Sequence, residues 1–537
     1  MHLHTRTHTA LTPARRFAKN ALILIGVNLF MRTVGVSFNV YLSNRAGGEV
    51  MGLYALLGGV YGLALTLGSA GIHLGATRLV AEAMGETEHD TSRLGREHAD
   101  RSKLIRHCML RCLLYSLLFS VGTGILLFSF SGVIGCEWLG DGRTVSSLRL
   151  LALSLPPVAI SACLGGYFNA VRRVGHNSAV GILAQFARIL FCGQLLSLWL
   201  SDGVEMTCNA LVLGGVLSEL VSCGLSGLVY VYDRKKHAST VVDSSRTVGL
   251  TRKLLGITLP VTLSACLRSG LITLEHALIP RGLKRSGASW ESALTSYGVL
   301  HSMVLPVVLF PSAFISSFAG LLVPEVAESN ARGDKERVSR IATKVISTAL
   351  VFSFGVAGIM ACFAYELGDV IYHSREAGMY IRQLAPLIPI MYVDSSVDAV
   401  LKGMGQQVYS MNVNIIDALA SVILVWILVP NLGLGGYVIT IYATEILNTT
   451  LSISRMLPIS GMKVSLWKQV FGPIVCVVGA SVAVRLSMAC LHIASAASVL
   501  SLILQIACTA LVYMGLLRAT GVIDKRDIRT ARALLPV

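Results

Sequence analysis

The sequence predicts an all-α polytopic membrane protein of about fourteen transmembrane helices: two six-helix lobes around a central cavity, followed by two further helices. Three observations predict it. The chain has 537 residues, 54% of them hydrophobic and only 14% charged, with a mean hydropathy of +0.68, and apolar runs of about 20 residues recur from end to end. Lysine and arginine alternate between rich and poor connections, as they do when a chain is stitched back and forth through a bilayer. Finally, the second half weakly echoes the first.

Taken in order, the runs and their turn signals place six spans near 19–42, 51–77, 104–130, 147–170, 178–200 and 208–231. Eight more follow near 254–280, 294–323, 341–364, 380–401, 411–429, 434–456, 467–491 and 496–517. The echo pairs LVAEAMGETEHD after the second span with VPEVAESNARGD after the eighth. A second one pairs LALSLPPVAI in span four with LAPLIPIMYV in span ten. Repeated six-span units then give an N-lobe over 19–232 and a C-lobe over 254–457, joined by a linker at 233–253. A tail at 1–18 precedes them, and 458–537 holds the two extra spans and a C-terminal tail.

Roughly two thirds of the 45 lysines and arginines fall on the N-terminal tail, the even-numbered connections and the C-terminal tail, which puts both termini in the cytoplasm. Arg281, Lys284 and Arg285 are out of place on the outer side. The formal net charge of +16 therefore follows from topology and contact with anionic lipid, and nucleic acid is not needed to explain it. The apolar run near the N-terminus lacks a small-x-small cleavage site, so it is expected to be retained as a span. The 12 cysteines form no CxxC and are expected as small buried side chains, without disulfides or metal. His2, His4 and His8 belong to a frayed tail. No phosphate loop or metal-ligand cluster occurs, and no nucleophile with a base and no extramembrane stretch large enough for an enzyme domain, so an envelope enzyme is not expected.

Function is carried by polar residues inside the spans. Asn28, Arg32, Gly35 and Asn39 recur at i, i+4, i+7 and i+11, so one face of span one is polar or small. A charge at mid-membrane costs at least about 2.5 kcal/mol, so Arg32 points into a bundle or a watery cavity, or pairs with Glu275 or Asp394. Arg268 and Glu275, seven residues apart on span seven, line the cavity or bind structural partners on neighbouring helices. His301 is a cavity or packing residue, and Gln185 a sugar contact or an interhelical hydrogen bond. On span ten Asp394, Asp398 and Lys402 follow one another at one-turn spacing. That arrangement is a sodium- or proton-coupling site or a self-neutralising stripe, and Asp417 and Glu445 pose the same alternatives. Arg78 and Glu82 snorkel at the end of span two. Pro306, Pro311 and Gly320 make span eight the candidate gate, since proline removes a backbone hydrogen bond and lets a helix bend.

Several blocks taken together resemble the stage V sporulation protein B-like family, polysaccharide-type exporters of the multidrug/oligosaccharidyl-lipid/polysaccharide superfamily. They are GGEVMGLYALLGGVYGLALTLGSAGIHLGATRLVAE, LRLLALSLPPVAISACLGGYFNAVRR, ITLPVTLSACLRSG, SYGVLHSMVLPVVLFPSAFISSFAGLLVPEVAESNARGD and LKGMGQQ, with Ala179 and Arg188 in span five. The similarity covers spans one to twelve. It implies a V-shaped pair of lobes that alternates between inward- and outward-open states. In the related lipid II flippases arginines in span one and near the middle of span eight line the cavity; Arg32 falls at the first place and His301 near the second. Those relatives carry a second span-one arginine where this chain has Phe38 and Asn39. Ile182 and Ala184 stand where the family commonly has polar or acidic residues.

The expected activity is that of a flippase in the bacterial cytoplasmic membrane for a polyprenyl-pyrophosphate-linked oligosaccharide or a peptidoglycan precursor. No cofactor is called for beyond a possible coupling ion, sodium or proton. Arginine suits such cargo because its planar fork donates paired hydrogen bonds to phosphate and never deprotonates. A drug/cation antiporter of the same fold would need anionic cavity residues, and a non-transporting scaffold for envelope-synthesis proteins would keep every charge paired internally.

Overall fold

The computed structural model describes residues 13–85, 97–171, 173–235, 250–462, 465–490 and 499–522, and all regular structure among the described residues is helical. Most of the two longest connections and both tail ends, with His2, His4 and His8, lie outside the described residues. The first expected spans form α1 (Pro13–Ser69), whose 57 residues are broken at Gly47 (φ 82°), and α2 (Ile72–Gly85). Ala70 and Gly71, both at positive φ, separate these two helices. Then come α3 (Glu97–Ser129), a π-helical turn Val133–Leu139, α4 (Thr144–Ala170), α5 (Val174–Trp199) and α6 (Val204–Lys235).

Beyond the linker lie α7 (Leu250–Arg285) and α8 (Trp290–Gly298), the latter capped by Ser289, whose hydroxyl accepts from the Ser292 amide. The expected eighth span is not one helix. A π-helical stretch Val299–Val304 follows α8, then the short α9 (Leu305–Leu309), then α10 (Ser312–Ala331). The break falls at Pro311, as the missing amide requires, while Gly320 sits inside continuous helix. The remaining helices are α11 (Lys335–Cys362), α12 (Ala364–Tyr372), α13 (Arg375–Leu384), α14 (Ile388–Gly403), α15 (Gln407–Leu432), α16 (Leu434–Ser460), α17 (Gly472–Cys490) and α18 (Val499–Ala519).

Among the described residues 12 helical stretches are long and apolar enough to cross a membrane. The first, Gly26–Met84, has 59 residues and covers two expected spans. The expected twelfth span is α16, long enough but too rich in threonine, serine and Glu445 to be counted with the others. Large apolar side chains such as Leu118, Leu228, Val475 and Leu511 are exposed, as lipid-facing positions should be.

The chain forms two compact units, Tyr41–Ser302 with Asn414–Thr444, and Met1–Val40 with Met303–Val413 and Glu445–Val537. The first has a core where α2, α3, α4 and α7 meet, with Ile72, Ala76, Met109, Phe168 and Leu254 buried. Cys108, Cys112 and Cys163 fill it as small apolar side chains. In the second, Ala342, Ala349, Val397, Leu401 and Met456 bring α11, α14 and α16 together. The two extra spans join that unit through Cys476, Tyr513 and Leu517, and the Tyr513 hydroxyl donates to the Val351 carbonyl at 2.7 Å.

Candidate functional site

Arg32 lies on the exposed side of α1, with Asn28 also exposed one turn before it and Asn39 half-buried two turns on. Its Nη2 donates to the Leu309 carbonyl at 3.0 Å. That carbonyl is available because the chain breaks there: the Ala313 amide turns to Phe310, and the Ser312 hydroxyl also donates to Leu309. Tyr392 of α14 stands nearby and donates to the Val308 carbonyl at 2.6 Å. Arg32 is thus docked on a proline-made defect between Pro306 and Pro311. Among the described residues its hydrogen-bond partner is this neutral carbonyl.

Asp398 of α14 behaves differently. Lys402 Nζ lies 2.6 Å from it, an i,i+4 ion pair, and the Ser410 hydroxyl donates to its other oxygen. Asp394, one turn earlier, is half-buried. At the end of α2, Glu82 is held by Arg78 at 3.1 Å and by Lys253 at 2.8 Å. Arg485 of α17 donates to the Cys362 carbonyl and pairs with Glu366 at 3.2 Å, a structural role.

In the other unit, α7 presents Arg268 exposed and Glu275 half-buried. Asp417 of α15 feels the charge of Arg268, and Glu275 is hydrogen-bonded to Ser421 one turn beyond Asp417. The two acids are close enough to interact, so α7 and α15 share a polar seam at bilayer depth. Gln185 lies half-buried on α5. Arg188, three residues on along the same helix, donates to the Tyr54 hydroxyl at 2.7 Å.

His301 is not alone. It sits in the π-helical stretch with its ring 5.4 Å from that of Tyr297 and nearly parallel to it, and 4.5 Å from the ring of His276 at 87°. His276 Nδ1 shares a hydrogen bond with the Tyr297 hydroxyl. Sequence reasoning passed over His276 and Tyr297. The one local signal was the Glu275–His276 pair, two ionisable neighbours in an apolar span.

A second network also escaped notice, because its members lie on three different connections. Arg143, just before α4, chelates Asp141 through Nε at 3.0 and 3.1 Å and Nη2 at 2.7 Å, and reaches Glu49 through Nη1 at 2.8 Å. Trp290 Nε1 donates to Asp141 at 2.9 Å. Burial would raise the Asp141 carboxyl, but the hydrogen bonds from Arg143 and Trp290 outweigh it and hold the group below its ordinary value of 3.8. The out-of-place cations belong to this face: Arg281 donates to the Glu137 carbonyl and Lys284 lies over the Trp290 ring.

The family described as polysaccharide biosynthesis protein matches residues 17–281, and the MatE family matches 291–427. Stage V sporulation protein B of Bacillus subtilis (strain 168) is 26% identical over 523 residues, 96% of this chain and 97% of that protein. Sporulation protein YkvU of the same organism is 21% identical, over 81% of this chain and 94% of its own length. Among solved structures, the lipid II flippase MurJ in an inward closed conformation aligns with a TM-score of 0.67 and 12% identity, covering 92% of this chain and 98% of that one. An inward-facing multidrug resistance MATE family transporter aligns at 0.62 with 14% identity, over 82% of this chain and 100% of the other. With both family matches, similarity along nearly its whole length and this shared fold, the chain is similar to membrane transporters of the multidrug/oligosaccharidyl-lipid/polysaccharide superfamily.

Proposed function

We propose that this transporter is a flippase that carries a lipid-linked, phosphate-bearing glycan precursor across the bacterial cytoplasmic membrane by alternating access of its two six-span lobes. The observation that carries the reading is Arg32. A guanidinium exposed at mid-span, with a backbone carbonyl as its hydrogen-bond partner among the described residues, is a ready site for an anion. A pyrophosphate would replace the carbonyl with a bidentate, charge-assisted pair, and Asn28 beside it offers amide groups to a sugar. The similarity to a sporulation protein and the fold shared with a lipid II flippase support cargo of this class.

The half-buried acids Glu275 and Asp417 favour a second reading, a cation antiporter of the same fold, since a cationic drug would seek such groups. Liposomes loaded with fluorescent undecaprenyl-pyrophosphate sugar separate the two. A charge-assisted hydrogen bond is worth about 1.5–3 kcal/mol, so Arg32→Ala is expected to slow lipid movement roughly 10- to 100-fold, with Arg32→Lys in between. Wild-type vesicles that move no lipid-linked sugar but expel a cationic dye against a sodium or proton gradient would establish the antiporter instead.

A further inference from the structure

The three rings of His276, Tyr297 and His301 lie where the second half of α1 crosses α7 and α8. Glycines make that crossing close. A Cβ on Gly52 would stand 2.0 Å from the Leu294 carbonyl oxygen, and one on Gly298 2.2 Å from that of Gly48. Gly59 is packed against His276, where a Cβ would come within 3.2 Å of the histidine Cβ. Two hydrogen bonds close the seam. Thr273 donates to the Gly59 carbonyl at 2.8 Å, and Ser302, next to His301, donates to the Met51 carbonyl at 3.1 Å.

Within this cluster the hydrogen bonding is one partner short. His276 Nδ1 and the Tyr297 hydroxyl satisfy each other, whereas His301 Nδ1 is buried and has no hydrogen-bond partner among the described residues. An unsatisfied ring nitrogen at bilayer depth is costly, and native structures seldom tolerate one without a reason. The π-helical stretch Val299–Val304 that sets the His301 ring against Tyr297 is itself a departure from regular helix of the kind found at functional sites. The surrounding groups are polar and titratable: Tyr437 of α16 and Glu275 of α7 act on Tyr297, Asp417 of α15 lies beside Glu275, and Arg268 beside Asp417. From α1 the crossing presents backbone at Gly59 and Met51.

We propose that the His276–Tyr297–His301 cluster is a proton-binding site whose access is controlled by the glycine-packed crossing of α1 with α7 and α8. This rests on the alternating-access reading above. When the crossing parts, a proton from water on the open side adds to the lone pair of His301 Nδ1 and makes one imidazolium. Two such charges on rings 4.5 Å apart would repel strongly, so the cluster carries one proton at a time. His276, through its hydrogen bond with the Tyr297 hydroxyl, holds the Tyr297 ring against His301, and the proton leaves His301 to water when the crossing opens again on the other side. No other reactant is consumed.

The test uses full-length protein in liposomes, with two readouts. Lipid-linked sugar movement is measured with and without a pH difference, each variant being scored as the ratio of the two rates. One pH unit changes site loading by up to about tenfold, so the wild-type ratio is expected to exceed unity several-fold and to fall to about one in His301→Gln and His276→Gln. Infrared difference spectra after a pH jump report imidazole protonation directly, whether or not lipid moves, and the wild-type signal is expected to lose its cluster component in both variants. If His301→Gln fails to insert, Tyr297→Phe, which removes only the hydroxyl bound to His276, is read on the same scales and expected to lower both. A pH-driven ratio that persists in the variants overturns the proposal, as does a wild type that follows sodium or membrane potential alone. Wild-type vesicles that move no sugar refute the flippase reading, and the infrared comparison then decides the proton site by itself.

Discussion

At Arg143 a single guanidinium holds two carboxylates from different parts of the chain, Asp141 beside it and Glu49 94 positions away. Asp141 is almost fully buried, with 5% of its side chain exposed, against 30% for Arg143. Removing the cation would leave a buried carboxylate with Trp290 as its remaining side-chain donor. Arg143→Ala is therefore expected to cost about 1.5–3 kcal/mol, seen as a lower melting temperature in detergent by tryptophan fluorescence. Arg143→Lys should recover only part, because lysine lacks the fork. The sign of the pH effect follows from the depressed Asp141 value: its contribution is complete above the ordinary 3.8 and is lost as pH falls through the lower folded value. Asp141→Asn should flatten that acid limb of the melting curve, and an unchanged limb would mean the carboxylate contributes nothing. Neither Arg143 nor Asp141 was picked out from sequence, since both sit on a connection outside the spans where candidate residues were sought.

The helix crossing of α1 with α8 makes a sharper claim at the level of elements. Gly52 and Gly298 admit no Cβ without moving backbone, while a Cβ on Gly58 would meet nothing within 4 Å. Overpacking costs typically about 1–3 kcal/mol, so Gly52→Ala and Gly298→Ala are expected to lower the melting temperature and weaken closure, and Gly58→Ala to do neither. Equal effects at the three positions would show that helix propensity, not close approach, governs the change. Span eight teaches a related lesson. Its two prolines were visible at once, and the break does fall at Pro311. The π-helical stretch just before it was not visible, because such a stretch arises from how neighbouring helices pull on the ladder rather than from any residue type.

For the whole molecule, the alternation of basic connections predicts an orientation that a single cysteine reports. Cys136 is exposed on the connection after α3, which the charge pattern puts outside the cell. A membrane-impermeant maleimide should label it in intact cells, and Cys136→Ser should abolish that labelling. Labelling that needs permeabilised cells would invert the topology. The cations at Arg281 and Lys284, which ran against the pattern, are tied to the Glu137 carbonyl and the Trp290 ring, so they are local structural groups and weak topological signals.

What the sequence determined by itself was the class of fold, the order of the spans and the polar face of span one. Hydropathy, breaker residues and helical periodicity are local properties, and the bilayer allows few backbone solutions. Tertiary structure decided the partners. That Arg32 meets a carbonyl 277 positions away, that His301 gathers His276 and Tyr297, and that Glu49 reaches Arg143 all depend on how each helix is rotated and how closely it approaches its neighbour. Periodicity says which residues share a face. It does not say which face of another helix lies opposite, because that is settled by glycine contacts and proline breaks whose effect appears only when distant segments pack.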